Sequence, residues 1–176
     1  GKSKIALAMV KRAVHSGIYA DYLLVDSWYS KPAFIQEMND LGLKVISRIA
    51  NNTKIWNFND KEKTLNALYE KHKKLKNAKV GTYGKKIRFS YFSTVIEHKN
   101  AGKLKIVFIK TTDNLIPIVS TDLELNDEEI IEIYKRRWDI EQGYKELREY
   151  FGFGQEENRI YEALIARMTL SFFAYN

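Results

Sequence analysis

The residues of this chain best suited to chemistry lie in one segment, 134–148, which reads Y-K-R-R-W-D-I-E-Q-G-Y-K-E-L-R. A phenol, three cations and one carboxylate recur in it at steps of three, four, four and three: Tyr134, Arg137, Glu141, Lys145 and Arg148. On an α-helix these steps keep all five side chains on one face. Such a face is able to bind a metal ion through its carboxylate while its cations hold a phosphate.

The same pattern also has a simpler explanation. Helices rich in Glu, Lys and Arg commonly carry solvated i,i+4 ion pairs, and Arg137–Glu141 and Glu141–Lys145 would be two of them. Trp138 and Ile140 stand among the charges. We therefore expect the helix to be partly buried, which favours a functional role over a merely solvated surface.

The start of this helix is well marked. Asn126 is a good N-cap, and Glu129 stands three residues later, as in a capping box. The pattern predicts one helix over 126–150, a break at the glycines of 151–154, and a last helix over 160–175.

A second carboxylate of interest is Asp26. It follows the apolar run at 22–25, which is typical of a buried strand, and ligand sites in open α/β sheets lie at strand ends. A helix over 3–16 precedes the run, and a helix opening near Pro32 and a strand over 43–49 follow it. This order predicts an α/β fold. The alternative is that Asp26 only caps a turn or the next helix.

The middle of the chain has a different character, because it is polar and rich in lysine. Its sequence pattern predicts a short helix over 64–76 and then strands over 86–97, 104–110 and 116–120. The pattern thus divides the chain into three parts: an α/β part (1–49), a β-rich insertion (50–121) and a helical part (122–176).

Composition narrows the class of protein. The net charge of +7 and the pI near 9.4 suit a polyanionic partner, of which nucleic acid is the default candidate. The absence of cysteine excludes disulfides and cysteinyl zinc sites and fits a cytoplasmic protein. No run of 18 apolar residues is present, so we expect no transmembrane span. An acidic membrane surface is a weaker alternative to nucleic acid as the partner of the basic charge, and we expect no membrane partner.

The spacing Y-x2-R-x3-E-x6-[KR] resembles the Y-R-E-K signature of the IS4-like (Tn5-like) bacterial transposases, which are DDE enzymes. Tyr134, Arg137 and Glu141 match it, and Arg148 stands where the family usually has lysine. The stretch L-L-V-D-S-W-Y-S around Asp26, followed by V-I-S-R, resembles the segment of the second catalytic aspartate. The resemblance implies a partial RNase H-like core interrupted by a β-rich insertion.

The resemblance also implies an activity, namely metal-dependent DNA strand cleavage and strand transfer at transposon ends. Asp26 and Glu141 would be ligands of Mg²⁺ (or Mn²⁺), which prefers oxygen ligands and assists in-line displacement at phosphorus. The partners would be DNA, both transposon ends and target, and a second copy in a homodimeric synaptic complex.

Other residues acquire roles only through this resemblance. Tyr134, Arg137 and Arg148 would hold the DNA phosphate, with Lys145 as a neighbouring contact. Arg48 matches a basic position of many relatives and would contact DNA or pair with Asp26. Trp56 is a candidate for stacking on a flipped base, and a place in the core is the alternative.

A DDE site needs three carboxylates, and no other aspartate of this chain fits the first. We therefore expect a fragment that begins just after the first Asp and is inactive alone, whose strands at 22–26 and 43–49 leave an edge that invites pairing. The first alternative is a catalytically inert DNA-binding remnant. The second is another nuclease using Asp139 and Glu141, but residues two apart on a helix point about 200° from one another.

Overall fold

The computed structural model of the chain describes residues 1–50, 57–58, 61–62, 64–73, 78–83, 87–154 and 160–175. Trp56 and its predicted role lie outside the described residues. The chain forms two compact units, Gly1–Tyr134 and Lys135–Asn176. No helix of the described parts is long and apolar enough to cross a membrane.

The first unit contains eight strands among its described residues: β1 Tyr22–Val25, β2 Lys44–Arg48, β3 Asn57–Phe58, β4 Lys61–Glu62, β5 Lys79–Tyr83, β6 Ile87–His98, β7 Gly102–Lys110 and β8 Leu115–Ser120. Six of them form one sheet in the order β1-β2-β8-β7-β6-β5, and β3 pairs with β4 alone. Strands β1 and β2 are parallel, whereas every other pair is antiparallel. The sheet is therefore mixed, and its one parallel pair leads to Asp26.

Helices cover both faces of this sheet. On one face lie α1 Lys2–His15, α2 Pro32–Asp40 and α3 Leu65–Lys73, which pack with the sheet in one apolar cluster. On the other face lies α4 Asp127–Lys135, whose buried Ile130 and Ile131 join a second cluster. Strands β1, β7 and β8 contain long apolar runs, as expected of strands that lie between two layers of helix.

The predicted elements of the first 121 residues are largely confirmed. Helix α2 begins with Lys31 as its N-cap and Pro32 at its first position, where a missing N–H costs nothing. Strand β2 does not lie at an edge, since β1 and β8 flank it, so the free edge expected for both parallel strands belongs to β1 alone. Within the predicted insertion, strands β5 to β8 continue the same sheet, and the three-part division of the chain stays a prediction.

The second unit contains two helices among its described residues, α5 Arg137–Phe151 and α6 Tyr161–Tyr175. Gly152 ends α5 in the left-handed conformation, with φ of 64°, and the N–H of Phe153 returns to the carbonyl of Leu147. This confirms the break predicted at 151–154. The rings of Tyr144, Phe153 and Phe172 then pack between the two helices, with centroids 5.5–6.4 Å apart.

The single helix predicted over 126–150 is wrong, because α4 ends at Lys135 and α5 begins at Arg137. Arg136 between them has φ of −60° and ψ of −19°, and its carbonyl accepts the N–H of Asp139, three residues on. A bond of this kind is the tighter 3₁₀ type that often starts a new helix. Neither glycine nor proline marks the place, so the sequence carries no signal for it.

A close approach between β5 and β6 generates a stability prediction. Gly81 pairs with Phe89, and a Cβ at Gly81 would lie 2.5 Å from Cζ of that ring. We expect Gly81→Ala to lower the free energy of unfolding by about 1–3 kcal/mol, as overpacking does, in urea titrations. In a Phe89→Leu background the same change should cost much less. Equal losses in the two backgrounds would contradict the steric explanation.

Candidate active site

Asp26 directly follows β1, and its side chain is exposed. Its Oδ1 accepts the N–H of Ser27 at 2.7 Å, and its carbonyl accepts the N–H of Tyr29. It does not cap α2, whose N-cap is Lys31. One carboxylate oxygen is thus held by the turn, and the lone pairs that remain are available to a ligand.

Arg48 lies at the same end of the parallel pair β1 and β2 as Asp26. The parallel register pairs Val25 with Ser47, so the next residue of each strand, Asp26 and Arg48, stands at the carboxyl end. Arg48 is exposed, and its side chain has no hydrogen bond or ion pair with any described residue. The ion pair with Asp26, one of its two predicted roles, is therefore not formed.

Asp122 lies at the opposite end of these two strands, where they begin. Its Oδ2 accepts the ammonium of Lys44 at 2.7 Å and the hydroxyl of Tyr22 at 3.0 Å, and both donors begin their strands. The hydrogen bond from Lys44 is the main reason that the pKa of this buried carboxyl lies below its usual value. Asp122 is thus a satisfied structural group, remote from the end of the sheet where Asp26 lies.

Tyr134 is placed by the packing of α4. It is half-buried against the second apolar cluster, which also includes Tyr22 and Leu24 of β1. The predicted start of this helix is confirmed, since Asn126 and Glu129 exchange two side-chain-to-backbone hydrogen bonds of 2.8 Å. Tyr134 therefore lies on the face of the sheet toward which alternate residues of β1 point.

The three other residues of the signature, Arg137, Glu141 and Arg148, lie on α5 together with Lys145. Arg137 Nη1 donates to Glu141 Oε1 at 2.9 Å, and the Glu141 side chain remains 49% exposed. Lys145 pairs with Glu149 at 3.9 Å, so the expected Glu141–Lys145 pair is not formed. Arg148 is exposed and has no side-chain partner among the described residues.

An open cavity of about 410 Å³ runs along this face of α5. Its lining consists of Glu141, Tyr144, Lys145, Arg148 and Glu149. Tyr144 and Glu149 are not among the predicted site residues, although their positions, three and eight residues after Glu141, repeat the helical period. The spacing argument is thus confirmed within α5, where it brings Glu141, Lys145 and Arg148 together, and Tyr134 falls on another helix.

The helix is partly buried, as expected, but not through Trp138 and Ile140. Trp138 is 61% exposed and Ile140 is 56% exposed. The buried positions of α5 are Gly143 and Leu147, four residues apart on the face toward α6. The guanidinium of Arg137 lies over the Trp138 ring, 5.9 Å from its centroid. The charged face of α5 is therefore accessible to solvent.

No set of three or more His, Asp and Glu side chains converges on one point within the described residues. The two predicted metal ligands belong to different units, Asp26 to the first and Glu141 to the second. Asp139 and Glu141 lie on the same helix, α5, at the two-residue step that suits shared chelation poorly.

The acidic residue at the end of β1 and the carboxylate and cations of α5 are of the types that bind metal ions and phosphates. The match to a known family is more specific. The Transposase DDE domain family matches residues 2–176, and the chain belongs to that family. No curated protein sequence matches the chain.

Membership in this family indicates the general kind of activity. The chain is a DDE transposase domain, of the polynucleotidyl transferase and nuclease kind, and its family acts in DNA transposition. Such a domain binds DNA, and DDE transposases generally use divalent metal ions. The sequence prediction is confirmed at this level.

The anchoring of α4 generates a pH prediction. Glu128 accepts the Tyr91 hydroxyl at 2.7 Å and the Lys79 ammonium at 2.9 Å, and these bonds lower its pKa to about 2. The pKa of Tyr91 is raised to about 12, mainly by its hydrogen bond to Glu128 and secondly by burial. Because the lowered pKa belongs to the folded state, its stabilisation is present above the ordinary value of 4.5 and is lost as the pH falls toward 2.

We expect the urea midpoint of the native protein to fall over this acid range more steeply than that of Glu128→Gln. At neutral pH the variant should be less stable by about 1 kcal/mol, the usual size of one lost hydrogen bond. Glu149→Gln is the matched control, since its weak contact lies in the other unit. Parallel pH profiles for native protein and Glu128→Gln would refute the anchoring argument.

Proposed function

We propose that this chain is the catalytic portion of an IS4-like transposase, which cleaves and transfers DNA strands at transposon ends. Tyr134, Arg137, Glu141 and Arg148 are its Y-R-E-K residues. The observation that carries the proposal is the face of α5, where an exposed carboxylate held by Arg137 shares a cavity with Arg148, whose side chain has no partner in the described parts of the chain. A partial RNase H-like core, with the residues of 50–121 as its insertion, completes the proposal.

In this proposal Asp26 and Glu141 are ligands of Mg²⁺ or Mn²⁺. Both fit a hard cation, since each is an exposed carboxylate with one oxygen engaged and other lone pairs free. When bound, such ions activate the attacking oxygen and stabilise the leaving one at phosphorus. We assign no residue of this chain to the first of the three acidic positions.

The cations of α5 would bind the DNA backbone. Arg148 presents a planar fork of donors that suits a phosphate, and no described carboxylate competes for it. Lys145 adds a point charge in the same cavity. Tyr134 and Arg137 would hold the phosphate nearest the cleaved bond, and Arg48 would contact DNA at the carboxyl edge of β1 and β2.

We further propose that two copies act together as a homodimer on paired transposon ends. The competing function is an inert DNA-binding remnant that keeps the cations and lacks the metal. The basic charge of +7 supports both functions equally, so only metal binding separates them.

The first test is a double-mutant cycle on metal affinity, measured by Mn²⁺ titration calorimetry in the presence of DNA. We expect Asp26→Asn and Glu141→Gln each to weaken Mn²⁺ binding by about tenfold or more, since even outer-shell losses cost 10–100-fold. If both ligate shared ions, the double variant should lose less than the sum of the single losses.

Asp139→Asn is the control for this cycle, because it removes an exposed carboxylate from the same helix. It should leave Mn²⁺ affinity unchanged. Loss of affinity through Asp139 instead of Asp26 would favour the pairing of Asp139 with Glu141. Absence of Mn²⁺ binding by the native protein would favour the inert remnant.

The second test addresses the phosphate contact of Arg148. We expect Arg148→Gln to weaken binding to duplex DNA and to reduce the slope of log K against log salt by about 0.9, the value for one lost phosphate contact. Arg148→Lys, which restores the residue usual in the IS4-like family, should retain most of the binding.

Arg12→Gln on α1 is the matched control for net charge, and salt titrations by fluorescence anisotropy supply the readout. An equal change in slope for Arg12→Gln and Arg148→Gln would show that only net charge matters. That result would remove Arg148 from the proposed site.

A further inference from the structure

Two adjoining cavities lie at one end of the sheet in the first unit, and no residue of the proposed active site lines either of them. The first, of about 370 Å³, is lined by Tyr69, Phe92, Phe108, Lys73 and Lys110, among others. The second, of about 460 Å³, continues past Ser90 and Lys110, which it shares with the first, to Val80 and Arg88. Both volumes lie in the range of ligand pockets, about 300–1,000 Å³.

The strand register explains how cations come to follow aromatic rings here. In the β6–β7 ladder Phe92 pairs with Phe108, and two residues further out Ser90 pairs with Lys110. Because residues two apart share a face, Ser90 and Lys110 lie on the same side of the sheet as the two rings. Arg88 continues this row on β6. The buried aromatic face that packs against α3 therefore passes directly into a polar, basic end.

The aromatic rings of this surface pack against one another. The Tyr69 ring of α3 stacks on Phe92, with centroids 5.6 Å apart and planes inclined by 26°. It also contacts Phe108 at 5.7 Å. Tyr69 is half-buried, so part of its side chain remains open to the first cavity, where the Lys73 ammonium lies 5.7 Å from the ring centroid.

The two outer cations have no acidic partner among the residues that the structure describes. Neither Arg88 nor Lys110 makes a side-chain hydrogen bond or ion pair with a described residue. Lys73 differs, since it pairs with Glu70. Val80, on the neighbouring edge strand, is 65% exposed beside them. The surface thus combines two uncompensated positive charges with aromatic and apolar walls.

We infer that this surface binds a single-stranded segment of DNA, with a base against Tyr69 and the adjoining phosphates on Lys110 and Arg88. Grooves for single strands combine backbone-tracking cations with aromatic rings on which bases stack. A duplex keeps its base faces stacked inside and would use only the cations. The inference rests on the proposed function for its choice of DNA, and it adds a strand contact separate from the α5 face.

The test is binding of a fluorescein-labelled single-stranded oligonucleotide, measured by anisotropy over a range of salt. We expect the double variant Arg88→Gln/Lys110→Gln to reduce the salt slope by about 0.7 for each cation, the single-strand value. The matched control is Lys99→Gln/Lys103→Gln, which removes the same charge at the other end of the β6–β7 hairpin and should leave the slope nearly unchanged.

A stacking variant completes the design. Tyr69→Leu keeps an apolar side chain against Phe92 and should weaken single-strand binding by about tenfold, as loss of one stacked base does. Duplex binding by the same variant should not change, and urea unfolding checks that it remains folded. Equal losses for test and control pairs, or equal losses on single strand and duplex for Tyr69→Leu, would overturn the inference.

These outcomes separate this inference from the proposed function. If the native protein binds the single strand and Mn²⁺ but the test and control pairs behave alike, only the inference fails. If the native protein binds neither DNA nor Mn²⁺, the proposed function fails and the inference fails with it.

Discussion

The first unit depends on one constraint, which is that strand β7 is apolar on both of its faces. Leu104, Ile106 and Phe108 point into the cluster formed with α1, α2 and α3, while Val107 and Ile109 point into the cluster formed with α4. Apolar side chains on both faces must be removed from water on both faces. The sheet is therefore stable only between two layers of helix. Helix α2, which follows Asp26, belongs to one layer, and helix α4, which precedes α5, belongs to the other.

Polar contacts then determine where α4 sits within its layer. The Lys105 ammonium, on the same central strand, donates to the Leu125 carbonyl at 2.7 Å and pairs with Asp127 at 2.9 Å. Both charged side chains are only 14% exposed, so breaking the pair would leave a poorly solvated charge. Together with the Tyr91–Glu128 contact, this pair fixes the first turn of α4 and with it the position of Tyr134, two turns later.

The local part of this arrangement was predictable from sequence, and the long-range part was not. The capping box of Asn126 and Glu129 and the strand before Asp26 depend on neighbours in the chain, so short patterns reveal them. The bond between Tyr91 and Glu128 joins residues 37 positions apart, and no short pattern contains it. The break at Arg136 and the exposure of Trp138 also depend on packing that sequence periodicity does not report.

The ion pair between Arg137 and Glu141 has a consequence for how ligands would reach the α5 face. With no metal bound, the guanidinium balances the charge of the carboxylate. On the proposed function, an arriving divalent cation would compete with Arg137 for the same oxygens and free its donors for a DNA phosphate. Metal and DNA would then strengthen each other's binding by the same factor, because thermodynamic linkage between two ligands is reciprocal. Release of Arg137 from Glu141 would thus couple the two ligands, so that each binds tightly only when the other is bound.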